Sequence, residues 1–173
     1  MENFEAAVIR SRTSAYCFAT WDLVFITIWR LSATEASFVE MNRVAREFIA
    51  AGPRRVSYLS IVEGSAPPPP DVARAELARF SRDVVPQMAV AVIVAEGGGF
   101  RASFVRGVGI ALTMLMPHKV PFKFAGSVQQ GAVWIAPHLS PGSGGAVALD
   151  RAVEDLRAKI AVPQSPFRAL VAR

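Results

Sequence analysis

The chain has 173 residues, of which 52% are hydrophobic and 19% are charged, so it can bury a core and is not a disordered protein. Its formal net charge is +5, but the arginines are scattered and no basic run is longer than Arg54-Arg55, so nucleic-acid binding is not expected. The single cysteine, Cys17, excludes an internal disulfide, and its apolar neighbours favour a small buried side chain.

The sequence shows neither a secretion signal nor a membrane span. Its first part carries Glu2, Glu5, Arg10 and Arg12 without the apolar stretch of a signal peptide. The longest uncharged apolar stretch, residues 107–117, is shorter than the ~20 residues that a membrane-spanning helix needs. We therefore expect a cytoplasmic protein, and the excess of arginine over lysine is typical of a GC-rich genome.

The first predicted elements are two strands that form a hairpin. Residues 1–13 are polar and are expected to be loose. A short apolar run at 15–20 and the strong strand pattern LVFITIW at 23–29 flank Trp21-Asp22, which we interpret as the turn.

The next predicted elements are a helix and a strand. Ser32 and Glu35 have the spacing of a capping box, in which each side chain binds the free backbone N–H of the other residue. Apolar residues recur at helical spacing over 38–49, and Gly52-Pro53 ends the helix. The following strand is predicted at 56–62.

A stiff connector leads to the second helix. Residues 64–70 contain four prolines, which favour polyproline II and cannot join a sheet. We expect Asp71 to cap the helix and Pro86 to end it. The unbroken apolar run at 88–95 is typical of a strand covered on both faces.

Three consecutive glycines at 97–99 predict a tight turn into a helix over 100–116 that has almost no polar side. A strand at 120–125 follows. Ser127 is predicted to cap a short helix at 128–135.

Alternating strands and helices predict an α/β fold, with a four- to five-stranded mixed sheet flanked by helices. We expect the domain to span residues 14–138 and the flexible linker and C-terminal helix to span 139–173. That helix can dock on its own domain or on a partner. Its narrow apolar stripe consists of Leu149, Val153, Leu156 and Ile160.

The layout resembles the STAS superfamily, the fold of anti-sigma-factor antagonists and of related small bacterial proteins. The resemblance covers about residues 17–136. It is carried mainly by 100–135, where a helix with an early arginine precedes a short strand and a small helix that contains Ala132 and Trp134. It implies an STAS-like, non-enzymatic regulatory module that acts through protein–protein contact as a homodimer. The wider group's similarity to lipid-carrier domains implies an alternative, a binding protein for a lipid or an anionic ligand.

Antagonist STAS domains carry a phosphorylatable serine at the start of the helix after the third strand. In this chain the only hydroxyl of the corresponding turn is that of Ser65, and four prolines separate it from Asp71. A phosphosite and a plain loop serine are therefore both open interpretations.

The glycine-rich turn has two interpretations, a ligand-free chain reversal or a site for an anion. The residues of the anion site would be Gly97, Gly98, Gly99, Arg101 and Ser103. We expect Arg101 and Arg106 to bind a partner or ligand, or to pair with Glu63 or Glu96.

The apolar helix at 100–116 must be covered on every side. The C-terminal helix, a second subunit or an apolar ligand can cover it, and Gly107 and Gly109 allow the close approach of another backbone. The interface residues predicted for self-association are Val105, Val108, Leu112, Leu115 and Met116.

The sequence predicts no enzyme. His118 and His138 are isolated from other metal-binding residues, so no metal or cofactor is expected. No nucleophile elbow of the pattern G-x-S-x-G is present.

Overall fold

The computed structural model describes residues 6–52, 55–98, 107 and 120–160. They form a six-stranded sheet with helices on both faces. The strands are β1 (Val8–Arg12), β2 (Tyr16–Trp21), β3 (Val24–Trp29), β4 (Ser57–Val62), β5 (Ala91–Ala95) and β6 (Phe122–Ala125). The helices are α1 (Glu35–Ala51), α2 (Asp71–Asp83), α3 (Val128–Ile135) and α4 (Gly145–Lys159), and short 3-10 helices lie at Val85–Gln87 and Ala136–His138.

The strands lie side by side in the order of the sequence. The first three form an antiparallel meander, whose β2–β3 turn contains Asp22 in the left-handed region with a φ of 47°. The last four strands run parallel. The predicted α/β class and mixed sheet are confirmed, but the sheet has six strands instead of four to five.

The additional strand is β1, which lies within the segment 1–13 that the sequence predicted to be loose. A register shift between Ile9 and Ser11 interrupts its pairing with β2. Exposed and half-buried positions still alternate along the strand, but Arg10, Ser11 and Arg12 are polar, so the sequence contains no run of alternating apolar residues. The Nε of Arg10 donates to Oγ1 of Thr20 at 3.1 Å and ties the two strands together.

Side chains from successive strand positions alternate between two hydrophobic layers. On the first face, Phe25, Tyr58 and Ala91 pack with α1 and α2. On the second face, strand residues including Leu59 and Val92 pack with α3 and α4. Since Ala91 and Val92 are both fully buried, the prediction that this strand is covered on both faces is confirmed.

The C-terminal helix α4 docks on the sheet of its own chain. Its apolar stripe, predicted from the sequence, is buried against β2 and α3. The segment before it is held by the backbone N–H of Ser140, which donates to Oδ2 of Asp22 at 2.8 Å. The structure thus decides between the two alternatives that the sequence left open.

Two of the three predicted helix caps are wrong. The capping box of α1 joins Thr34 and Ser37 instead of Ser32 and Glu35. The helix begins at Glu35, so Thr34 is its cap and Ser37 is the third helical residue, whose hydroxyl accepts from the backbone N–H of Thr34. Asp71 is the first residue of α2 and not its cap. Ser127 caps α3 as predicted, since its Oγ accepts from a backbone N–H at 3.3 Å.

Candidate functional site

The glycine-rich turn is only partly described, and the described part contains a close backbone contact. Gly97 has a φ of +92°, and a Cβ added there would lie 3.3 Å from Cα of Gly64. This favours a chain reversal that requires glycine for its own geometry. The other residues of the predicted anion site, Gly99, Arg101 and Ser103, lie outside the described residues, and so does every predicted interface residue from Val105 to Met116.

Ser65 lies in the turn after β4. It is exposed, and its hydroxyl donates to the backbone carbonyl of Arg30 at 2.9 Å. This bond joins the segments that leave β3 and β4. The phosphosite at Ser65 stays a prediction.

Charged residues directly follow three neighbouring parallel strands. Arg30 follows β3, Glu63 follows β4 and Glu96 follows β5. Arg30 binds Glu63 through two nitrogens, at 2.7 and 3.1 Å. Arg157 of α4 donates to Oε1 of Glu96 at 2.6 Å and lies 3.7 Å from Oε1 of Glu63. The arrangement fastens α4 to the carboxyl edge of the sheet.

The ion pairs of this network neutralise the carboxylates of Glu63 and Glu96. The side chains of these residues are mostly buried, and the hydrogen bond that Arg30 donates to the Glu63 carboxylate is the main cause of the raised pKa of Arg30. Glu63 and Glu96 are paired with Arg30 and Arg157. Arg101 and Arg106 lie outside the described residues, so their expected pairing with these carboxylates stays a prediction. Arg157 also pairs with Glu154 at 3.2 Å, so two arginines hold three acids in the described network, and we interpret this edge as structural.

The candidate site is an apolar cavity on the face of the sheet that carries α1 and α2. It has an empty volume of about 850 Å³, which includes the solvent in its open mouth. α1 packs directly on β1, β2 and β3, whereas the main contacts of α2 are with α1 and the 3-10 helix that follows it. Because α2 stands off the sheet, a space remains between it and the central strands.

The described walls of this cavity come from the strands β3, β4, β5 and β6, the loop after β3, the proline connector, the helices α1 and α2, and the 3-10 helix Val85–Gln87. Most wall residues are aromatic or aliphatic, and none of the described ones is charged. The described lining consists of Trp29, Leu31, Ala33, Phe38, Tyr58, Ser60, Val62, Ala66, Pro67, Pro68, Pro69, Leu77, Phe80, Ser81, Val85, Ile93 and Phe122.

A buried chain of hydroxyls interrupts this apolar wall. Thr27 and Ser60 are direct neighbours on β3 and β4, and the Thr27 hydroxyl donates to Oγ of Ser60 at 3.1 Å. The hydroxyl of Tyr58 lies 3.3 Å from Oγ1 of Thr27 and 3.8 Å from the sulfur of Met41. Burial is the main cause of the raised pKa of Tyr58, which keeps the phenol neutral. A few polar groups in an otherwise apolar concavity are typical of small-molecule sites.

Sequence reasoning missed the cavity because its walls meet only in the folded chain. One signal was present. Thr27 and Ser60 place hydroxyls inside strands that are largely apolar, and a buried polar residue is more informative than an exposed apolar one.

Within the described ranges, no three His, Cys, Asp or Glu side chains come together in a way that could hold a metal ion. None of the helices in the described part of the chain combines the length and apolar character that crossing a bilayer requires. Searches of protein-family models, curated proteins and solved structures find no match to this chain. The resemblance to STAS domains therefore stays a prediction.

Proposed function

We propose that the protein is a non-enzymatic binding protein for a small apolar molecule, which it holds in the cavity between α2 and the sheet. The observation that carries the proposal is the apolar lining of a cavity that is still open to solvent. This proposal keeps the ligand-binding alternative that the sequence suggested. It assigns the site to the first face of the sheet and not to the glycine-rich turn.

The energetics support an apolar occupant. Val62, Ile93 and Phe122 face the cavity and are only partly buried, whereas Leu59, Ile61 and Val92 on the opposite face are fully buried. Covering apolar surface contributes about 25 cal/mol per Å², so an occupant that buries on the order of 100 Å² of this wall gains about 2–3 kcal/mol from the protein side alone.

The experiment is titration of the full chain with a neutral solvatochromic dye. Ile93→Trp places a large ring in the cavity at a partly exposed position, and we expect it to abolish the blue-shifted emission of the bound dye. Val133→Trp is the matched control, because Val133 lies on the opposite face of the sheet and is 64% exposed. Equal binding by both variants, with unchanged circular dichroism, would show that the dye does not use the cavity.

A second candidate function is the one implied by the STAS resemblance, an interaction module that acts as a homodimer. The exposure of Val133 and Trp134 on α3 favours it, since adjacent large apolar residues on a surface are suited to a second copy of the chain. Lys123 lies over the Trp134 ring, 4.3 Å from its centroid. The molar mass from light scattering should then be that of a dimer. Trp134→Glu should reduce it to that of a monomer, and the control Val72→Glu on α2 should leave it unchanged. A monomeric wild type would exclude this function.

A further inference from the structure

We propose that the molecule held in the cavity is a planar aromatic compound, bound between aromatic rings that the sheet and the helices α1 and α2 supply. This inference rests on the proposed function and names the chemical class of its ligand. It follows from where the aromatic residues of the wall lie, from how their rings are held in place, and from the stiffness of the rest of the described lining.

Both layers that enclose the cavity supply aromatic rings. Trp29 of β3, Tyr58 of β4 and Phe122 of β6 belong to the sheet, and Phe38 of α1 and Phe80 of α2 belong to the helices. An occupant of the cavity is therefore within reach of rings from the sheet and from the helices at the same time. A ligand that is itself aromatic can pair with rings on both sides.

The rings of the wall are held in place by one another. Trp29 and Phe38 join β3 to α1, with their ring centroids 4.9 Å apart, and Tyr58 and Phe80 join β4 to α2 as an edge-to-face pair at 5.2 Å. The hydroxyl of Tyr58 also forms a hydrogen bond with Ser60, which fixes the position of its ring. Both aromatic pairs are thus positioned before a ligand enters, so binding does not have to order them.

The rest of the described lining is also stiff. The connector supplies Pro67, Pro68 and Pro69, whose rings restrict the backbone, and Val62 and Ile93 are β-branched. The described lining contains no methionine, the flexible side chain that lets a site adapt to ligands of different shapes. A flexible ligand would lose conformational freedom in a cavity of fixed shape, whereas a planar ring has little to lose.

Covered apolar area alone does not distinguish an aromatic ligand from an aliphatic one, because both are removed from water in the same way. The distinguishing contribution is the contact between rings, in which the positive edge of one ring meets the negative face of another. Saturating the ligand removes this contribution and keeps its carbon skeleton. The comparison of an aromatic compound with its saturated form therefore isolates the inference.

The test compares three neutral probes on the full chain by competition with the dye: 2-naphthol, decahydro-2-naphthol and 1-decanol. They have the same number of carbon atoms and one hydroxyl group each, but the first is planar and aromatic, the second is cyclic and saturated, and the third is flexible. Each association constant is divided by the octanol–water partition coefficient of the probe, which removes the difference in hydrophobicity. The wild type should then prefer 2-naphthol to each of the others by about two- to tenfold.

Phe122→Leu removes one ring from the wall and should lower this preference by about twofold. Phe124→Leu is the matched control and should leave it unchanged. Both residues are half-buried on β6 and their ring centroids are 5.1 Å apart, but of the two it is Phe122 that lines the cavity.

A second pair of variants tests the helix side of the wall. Phe38→Leu should also lower the preference for 2-naphthol, whereas Phe18→Leu should not. The rings of both residues contact Trp29, but Phe18 does not line the cavity. Unchanged circular dichroism shows that a variant is folded, and the variants on β6 carry the test if those in the fully buried layer do not fold.

The outcomes separate this inference from the function beneath it. Equal normalised affinities for 2-naphthol and decahydro-2-naphthol, or a preference for 1-decanol, would overturn the aromatic class while the cavity still binds. Equal effects of Phe122→Leu and Phe124→Leu would overturn the contact between ligand and wall rings. Failure of every probe and of the dye would show that the cavity takes no ligand, and the proposed function itself would be wrong.

Discussion

Replacing Leu156 by alanine tests whether α4 folds and unfolds cooperatively with the sheet. Leu156 is fully buried in the layer formed by the sheet, α3 and α4. Removing three carbon groups costs about 2 kcal/mol in transfer free energy, and the residual cavity adds about 1 kcal/mol. We expect the free energy of unfolding to fall by about 3 kcal/mol, a large share of the ~5–15 kcal/mol typical of a domain.

The assay is equilibrium unfolding in urea, followed by tryptophan fluorescence and by circular dichroism. Val147→Ala is the control within the same helix, because Val147 is 72% exposed and its loss should change stability by less than about 0.5 kcal/mol. If Leu156→Ala were as mild as the control, or if the two probes gave separate transitions, α4 would not fold together with the sheet.

Three further substitutions test other contacts. Gly131→Ala puts a Cβ 3.0 Å from Cγ2 of Val94. This overpacking should outweigh the gain in helix propensity and lower the free energy of unfolding by about 1 kcal/mol. A stabilised variant would contradict this contact. Arg157→Met leaves the Glu96 carboxylate without its partner, so we expect the free energy of unfolding at pH 7 to fall by about 1–3 kcal/mol. An unchanged stability would contradict the ion pair. Burial raises the pKa of the Cys17 thiol from 9.0 to about 11, so its neutral form stabilises the fold fully below pH 9 and this contribution is lost as the pH rises through 11. Between these pH values the wild type should lose about 2–3 kcal/mol more than Cys17→Ala does, and equal losses would contradict the shift.

The sequence predicted elements well where one periodicity dominates. The continuous apolar run before Glu96 correctly indicated a strand buried on both faces, and the spacing from Leu149 to Ile160 correctly indicated an amphipathic helix. It failed at β1, where three of the five residues are polar, and at the start of α1, where two nearby hydroxyl residues compete to be the cap. The pairing of this edge strand and the residue that caps α1 depend on backbone geometry, which cannot be read from the types of residue alone.

The candidate site was much less predictable than the fold. Its walls are distant in sequence, and whether Trp29, Ser60 and Phe80 enclose a space depends on how far α2 stands from the sheet. The network at the strand ends had a visible signal, because Arg30 and Glu63 each follow a predicted strand directly. The contribution of Arg157 required the docking of α4, which the sequence left open.

The most direct test of the central claim is native mass spectrometry of the full chain purified without detergent, beside Ile93→Trp. We expect a noncovalent adduct of a small apolar molecule on the wild type, released by collisional activation and missing from the variant. Bare chain mass for the wild type, even after incubation with an excess of the neutral dye, would contradict a ligand-binding cavity.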